Sequence, residues 1–354
     1  MEEQKKIILH ILTSNMYSGA ENVVCQIITM FKESSYIMLY CSPDGSIRKA
    51  LEENDIVFCP IKKANVKDLK EAIKKLNPAI IHAHDMRASF LASVACGKIP
   101  YVSHIHNNNF DSQKISIKSI LYRIAAAKAK HIFWVSESSF NGFKFHRSLA
   151  KKSTILQNVI NINDVIEKAK KSEVNSRYDI VYVGRLTYQK NPERLLDILI
   201  EAIKKKNDLQ VAIVGSGDKE NIVKKIIKEK KMEENIHYLG FISNPYGIMK
   251  KASLMVMTSR WEGTPMCALE AMVLGVPMIS TPTDGLRDLI VDGETGFLTN
   301  NDKVFVEKIL QICKDKNLRE RLSINAYERA KQINDLNKYK KKIEDVYNFI
   351  LKDC

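Results

Sequence analysis

Two glutamates bracket the run EGTPMCALE, Glu262 and Glu270, which continues into Ala271 and Met272. Between them, Thr264 is a good helix N-cap type and Pro265 suits a first helical position. The run therefore reads as a loop turning into a helix. The backbone N–H groups of Met266, Cys267 and Ala268 then lack intrahelical partners. Such a terminus carries partial positive charge and attracts anions and sugar hydroxyls. Glu262 stands just before that donor site, and Glu270 lies in the second turn of its helix. Alone, two glutamates on a surface helix would be unremarkable solvated residues, so the other loops decide what they mean.

Residues 180–183 read as a strand that runs into Gly184-Arg185-Leu186-Thr187-Tyr188-Gln189-Lys190-Asn191-Pro192. The glycine permits a tight exit. Arg185 and Lys190 in one strand-to-helix loop suit a diphosphate, one as a planar fork and the other as a point charge. Either alone would pass for an ordinary surface cation. A second strand, 211–214, leads into Gly215-Ser216-Gly217-Asp218. A GxG turn is a weak nucleotide signal, and Glu220 breaks the GxGxxG pattern of a dinucleotide site.

In the first half, residues 9–13 lead into Ser14-Asn15-Met16-Tyr17-Ser18-Gly19-Ala20-Glu21. Gly19 stands where a helix begins, and its bare backbone allows a phosphate to come close. Residues 101–105 lead into the polar cluster His106-Asn107-Asn108-Asn109. His82, His84 and His104 read as hydrogen-bonded core histidines, whereas His106 follows its strand and meets a loop. No two aspartates stand two apart, so there is no DxD metal clamp. His82, His84 and Asp85 form a candidate metal set, but no third ligand group is evident in the sequence. No metal is expected.

These loops need a scaffold. The chain has 354 residues, enough for two domains, with 45% hydrophobic and 27% charged residues. No run of 18 apolar residues exists. The start, MEEQKKIILHILTS, reads as a first strand and not a signal peptide. The seven cysteines are scattered without CxxC, which fits a reducing cytoplasm. The net charge of +14 suits nucleic acid, an anionic membrane or a phosphorylated substrate. No nucleic-acid motif accompanies it, and no nucleic-acid partner is expected.

Short apolar runs alternate with helical patterns throughout. Strands are expected at 7–12, 37–41, 56–60, 80–83, 101–105, 132–135 and 154–156, with helices such as 21–31, 67–76, 86–96 and 117–130. Several runs are unbroken, as in parallel strands buried on both faces. The charged stretch 161–176 shows no strand and is read as the domain link. A second series follows from 180 to 299, and the tail 304–351 reads as two or three helices. The expected class is α/β: two Rossmann-like, doubly wound parallel-sheet domains with an interdomain cleft and a helical C-terminal tail. The expected bounds are 1–165, 166–335 and a final helix at 336–354 that packs back on the first domain.

With these residues in place, the chain resembles the GT-B retaining glycosyltransferases of family 4 (group 1). The resemblance rests on SGAE, HIHN, VSES, GRLTYQKNP, VGSGD, LGF and the run SRWEGTPMCALEAMVLGVPMIST. VSHIHNNN and the short first domain look most like members that build bacterial capsular and exopolysaccharides. The resemblance implies that Arg185 and Lys190 hold the donor pyrophosphate. It places Glu262 against the donor sugar, Glu270 on the ribose hydroxyls, and Thr264, Pro265 and Met266 where backbone amides meet the sugar. The glycine turn at Gly215 joins the donor-binding set. Gly19 matches the flexible glycine of a phosphate-closing loop, and His106 a histidine near the sugar's outer hydroxyls. The family often has two glycines in that first loop, and here Ser18 replaces one.

The expected reaction is transfer of a hexose or N-acetylhexosamine, with retention, from a nucleotide diphosphate sugar, UDP-linked, to a lipid-linked acceptor. A lipopolysaccharide, teichoic-acid or protein acceptor is the alternative. No metal cofactor is expected in this family. A glycoside hydrolase would need its carboxyls about 5–9.5 Å apart, whereas eight helical residues rise about 12 Å, and it would leave the basic pair without a task. Finally, residues 114–130 hold five basic and no acidic residues, with Ile117, Ile120, Leu121 and Ile124 at helical spacing. Phe140, Phe143 and Phe145 lie nearby among further cations. A basic, partly apolar surface suits an anionic membrane, so peripheral attachment at the cytoplasmic face is expected. The plain alternative is that 117–124 packs on the sheet.

Overall fold

Apolar runs such as Ile7-Ile8-Leu9 can be satisfied only between two layers of helices, and the computed structural model places them there. It describes residues 5–107, 113–172 and 176–352. The chain divides into two compact units, Met1–Val159 with Leu336–Cys354, and Ile160–Asp335.

The first unit runs β1 (Lys6–Ile11), α1 (Gly19–Met30), β2 (Tyr36–Pro43), α2 (Ile47–Glu53), β3 (Phe58–Ile61), α3 (Val66–Leu76) and β4 (Ile80–His84). It continues through α4 (Asp85–Ala95), β5 (Tyr101–Ile105), α5 (Ile117–Lys128), β6 (His131–Trp134), α6 (Glu137–Asn141), a 3-10 turn at His146–Lys152 and β7 (Ser153–Ile155). The seven strands are parallel in the order β3-β2-β1-β4-β5-β6-β7. Strand order reverses beside β1, where β4 is its other neighbour. Open α/β sheets bind ligands at such a switch point, beyond the carboxyl ends of the strands.

The second unit runs α7 (Ile162–Lys170), β8 (Ile180–Val183), α8 (Pro192–Lys205), β9 (Val211–Val214), α9 (Glu220–Glu229), β10 (Ile236–Gly240) and α10 (Tyr246–Lys251). There follow β11 (Leu254–Met257), α11 (Met266–Val273), β12 (Met278–Ser280), α12 (Asp284–Leu289), β13 (Gly296–Leu298), α13 (Asp302–Lys314) and α14 (Lys316–Ile333). Its six parallel strands lie in the order β10-β9-β8-β11-β12-β13, with the switch between β8 and β11.

The last helix, α15 (Leu336–Lys352), belongs to the first unit. Tyr339, Ile343, Tyr347 and Ile350 form its buried stripe at helical spacing. Tyr347 Oη lies 2.6 Å from His82 Nδ1, and Tyr36 donates to Asn348 Oδ1 at 2.7 Å.

Three readings of the sequence change, one of them an alternative. The stretch expected as a linker is helix α7 where it is described. Asn161 accepts a bond from Asp164 N–H, and Val165 and Ala169 are buried. That helix packs on α10 and α11, so the unit boundary falls at Val159/Ile160 and not at 165. Lys and Glu at its outward positions masked the short apolar stripe; residues 173–175 lie outside the described residues.

The plain alternative for α5 also fails. Its buried face is Ser119, Tyr122, Ala125 and Ala126, while Ile117 is 79% exposed and Ile120, Leu121 and Ile124 also face out. Phe143, by contrast, is core, packed edge-on against Tyr122 and beside Trp134. The third change concerns the start of α11 and is taken up with the site.

Candidate functional site

Three loops of the second unit leave the carboxyl ends of adjacent strands β9, β8 and β11. The β8 and β9 loops are locked backbone to backbone. Leu186 N–H donates to Ser216 O at 2.8 Å, and Gly184 N–H to Val214 O at 3.0 Å. Gly215 has φ +137°, and a Cβ there would stand 1.9 Å from Gly184 O. Only glycine allows this approach, so Gly215 shapes the turn that carries Arg185.

The β8 loop is tied just as firmly to the β11 loop. Arg260 donates to Asn191 Oδ1 at 2.7 Å and Tyr188 O at 3.1 Å, and lies over the Tyr188 ring. Thr258 donates to Asn191 O at 3.1 Å. Asn191 takes the left-handed conformation, φ 54°, so that Pro192 can open α8.

These ties bring Lys190 onto Glu262, 72 residues away, with Nζ–Oε1 2.6 Å. Both side chains are nearly fully buried, Glu262 at 5%. Gln189 donates to Trp261 O at 2.9 Å and reaches Glu262 Oε2 at 3.5 Å. Burial works against the lysine's charge, but the Glu262 carboxylate outweighs it and holds the ammonium above its ordinary range. Arg185 stays in the outer loop, 3.4 Å from Gln189 Oε1. The switch point thus carries a buried, charge-paired floor with a second cation beside it.

Beyond Glu262 the chain is fixed by Gly285, whose Cβ position lies 1.1 Å from Gly263 O. Any larger residue would drive the Glu262 loop outward. The helix start differs from expectation. Pro265, not Thr264, is the cap residue, with φ −71° and ψ 123°, and Met266 begins α11. The fixed proline φ suits either position, and its extended ψ delays the helix by one residue. Ala268 N–H already bonds Pro265 O at 3.1 Å, which leaves Met266 and Cys267 as the first-turn amides without an intrahelical acceptor. Glu270 is buried one turn on and accepts a bond from Tyr246 at 3.0 Å.

In the first unit, Gly19 opens α1 after Ser18 at the cap, and Ser18 donates to Glu21. A Cβ at Gly19 would meet nothing within 4 Å. The fold therefore does not require glycine there, and Gly19→Ala is expected to leave the melting temperature unchanged. A shift of more than about 4 °C, on the order of 1 kcal/mol in a domain this size, would contradict this.

At the first unit's own switch point, between β1 and β4, five buried histidines cross three strands: His10 on β1, His82 and His84 on β4, His104 on β5 and His106 beyond it. The third ligand that the sequence hid is therefore present. Ligand atoms of His10, His82 and His84, and of His84, His104 and His106, lie within 4.8 Å of one another. Both nitrogens of His84 are already engaged by other histidines, so a metal in either set would have to break one of those bonds. Asn108 and Asn109 lie outside the described residues.

Residues missed in the sequence were Gln189, Arg260, Gly285, Tyr246 and His10. Arg260 and Gly285 carried a usable signal, lying beside the Glu262 loop and opening the next helix. The others act through contacts distant in sequence.

The chain matches the family model described as "Glycosyl transferases group 1" over residues 164–329 and that of "Glycosyltransferase Family 4" over 17–164. It is 27% identical to the UDP-Gal:alpha-D-GlcNAc-diphosphoundecaprenol alpha-1,3-galactosyltransferase of Escherichia coli, covering 96% of each chain. It is 25% identical to the capsular polysaccharide biosynthesis glycosyltransferase CapM of Staphylococcus aureus, covering 88% of this chain and 90% of CapM. In fold it is similar to Anabaena HepE solved with UDP-glucose, with a TM-score of 0.82, 20% identity, and 97% and 99% of the two chains covered.

Proposed function

This chain belongs to the group 1, family 4 glycosyltransferases, and we propose that it moves a hexose or N-acetylhexosamine from a UDP-sugar to a lipid-linked saccharide, with retention. The observation that carries this proposal is the Lys190–Glu262 pair at the β8/β11 switch point with Arg185 beside it. A leaving diphosphate develops negative charge, and fixed cations aimed at it stabilise the transition state without reorganising. Arg185 and Lys190 supply that charge together with the first-turn amides Met266 and Cys267. No divalent ion is needed in this scheme, so turnover is expected to survive EDTA, and an absolute divalent requirement in the assay would contradict it.

Glu262 is held rigid by Lys190 and Gln189, so its charge lies ready for a sugar that becomes cationic. Glu270, one turn into α11, accepts ribose hydroxyls. Glycine at 215 lets the β9 turn close on Gly184 and so sets Arg185 toward the donor, and Thr264 and Pro265 line the sugar. Gly19 and His106 belong to the carboxyl edge of the first unit and contribute its donor contacts. Support for UDP and for a lipid-linked acceptor comes from the galactosyltransferase relative's name and from the UDP-glucose in the HepE crystals.

The roles separate kinetically. Arg185→Ala is expected to weaken UDP binding by about 1.5–3 kcal/mol, the worth of one charge-assisted bond. Glu270→Gln raises KM for the donor, while Glu262→Gln lowers kcat at saturating donor. Steady-state kinetics with the opposite split would reverse the two glutamates.

The outward face of α5 is the proposed membrane contact. Ile115, Ile117, Ile120, Leu121 and Ile124 are exposed together, ringed by Lys114, Lys118, Arg123 and Lys128. Among the described residues no helix is long and apolar enough to cross a membrane. An anionic leaflet matches both features, each cation adding about 1 kcal/mol. Vesicle sedimentation is expected to show binding to anionic lipid that falls at high salt and in a Lys114→Glu, Lys118→Glu, Lys128→Glu triple variant. Equal binding to neutral vesicles would overturn electrostatic docking.

A further inference from the structure

The five-histidine group has one member, His84, whose two ring nitrogens are both engaged. Its Nε2 lies 3.0 Å from His10 Nδ1, and its Nδ1 lies 2.8 Å from His106 Nε2. Burial holds the rings neutral, pulling the pKa of His10 and of His106 down to about 3 and those of His82, His84 and His104 well below the ordinary value. A neutral imidazole has one N–H and one bare nitrogen. Three such rings joined by two bonds can be arranged in only two ways.

In one arrangement, His10 Nδ1–H donates to His84 Nε2, His84 Nδ1–H donates to His106 Nε2, and His106 carries its own proton on Nδ1. In the other, all three protons shift to the opposite nitrogens, and His10 carries an N–H on Nε2. Any mixture sets two protons or two lone pairs face to face and loses a bond. The two outer atoms, His10 Nε2 and His106 Nδ1, are both buried without a partner among the described residues. Their settings differ. His10 sits within β1 at 0% exposure, whereas His106 lies past the end of β5 at 7%. Buried N–H groups without an acceptor are rarer than bare acceptors, and only the His106 end can gain an acceptor from outside. The first arrangement is therefore the favoured one. His106 is further held by its backbone N–H donating to Asp85 Oδ1 at 3.0 Å and by His104 stacked 4.1 Å away.

We propose that His84, backed by His10, is a positioning residue that fixes His106 as the tautomer protonated on Nδ1. His106 then acts toward the substrate as a hydrogen-bond donor to a sugar or phosphate oxygen, and not as a base. This second half rests on the proposed contact between His106 and the donor.

The test is histidine-selective 15N NMR on the full chain, alone and with UDP-glucose, which reads each ring's protonated nitrogen directly. The wild-type chain is expected to show His106 protonated on Nδ1, with that signal moving when UDP-glucose binds. His84→Leu is expected to give mixed His106 tautomers and about a tenfold rise in KM for the donor, the loss of one hydrogen bond. His84→Asn, whose amide can still donate toward His106 Nε2, restores the single tautomer and most of the affinity. Protonation of His106 on Nε2 in the wild type, metal-coordinated ring signals, or an unchanged tautomer in His84→Leu would overturn the positioning role. Should His84→Leu fail to fold, the wild-type spectrum alone decides. A correct tautomer with UDP-glucose bound elsewhere and the His106 signal unmoved would overturn only the substrate contact.

Discussion

Lys190→Ala is expected to destabilise the chain by roughly 3–5 kcal/mol, because it leaves the Glu262 carboxylate buried and unpaired. The pair is nearly sealed, and Glu262's other side-chain neighbour, Gln189, is distant at 3.5 Å. Arg185→Ala, in the outer loop, should stay within about 0.5 kcal/mol of the parent, as surface substitutions do. The double variant Lys190→Met, Glu262→Gln removes both charges and should recover much of the stability while turnover stays lost. Urea unfolding monitored by fluorescence checks all three. A Lys190→Ala chain as stable as the parent would mean that the pair is solvated and does not form the floor of the site.

The second large effect is acid destabilisation of the first unit. Burial holds the folded pKa of His10 and His106 near 3, His131 near 4, and His82, His84 and His104 well below the ordinary value. An unfolded histidine takes up its proton near pH 6.5. Between 6.5 and the depressed folded values the unfolded chain therefore binds more protons, and stability falls as pH falls. Above 6.5 both states are neutral and this contribution is constant. Each such histidine costs about 1.4 kcal/mol per pH unit, so the six together cost on the order of 8 kcal/mol per unit. With stabilities commonly about 5–15 kcal/mol, unfolding is expected before pH 4.5, where carboxylates begin to titrate. Thermal melts between pH 7.5 and 5 should show a plateau above 6.5 and a steep decline below it. A flat profile from 6.5 to 5 would contradict the buried, neutral group.

What was legible in the sequence was local. Ile180–Val183 and Leu254–Met257 announced themselves as buried strands because their apolar runs are unbroken, and the residues just after them marked the site. What was hidden depends on the third dimension. Lys190 and Glu262 are each plausible surface charges, and only the β8/β11 neighbourhood joins them. His10 sits in an apolar run like any strand residue, and its bond to His84 spans 74 positions. Helix α5 shows why hydrophobic spacing alone does not name the buried face. Its larger apolar residues face out, as a surface-docking helix requires, while small residues and Tyr122 face in. At α11, one extended proline ψ moved the helix start by a residue.

The β8/β11 switch point is expected to bind a nucleotide diphosphate through Arg185 and the Lys190–Glu262 floor. Calorimetric titration of UDP into the parent chain and into Arg185→Ala tests it most directly. Saturable, metal-independent binding to the parent is expected, with an affinity lower by about tenfold or more in Arg185→Ala. Equal affinities in the two chains, or no binding of any nucleoside diphosphate by the parent, would contradict it.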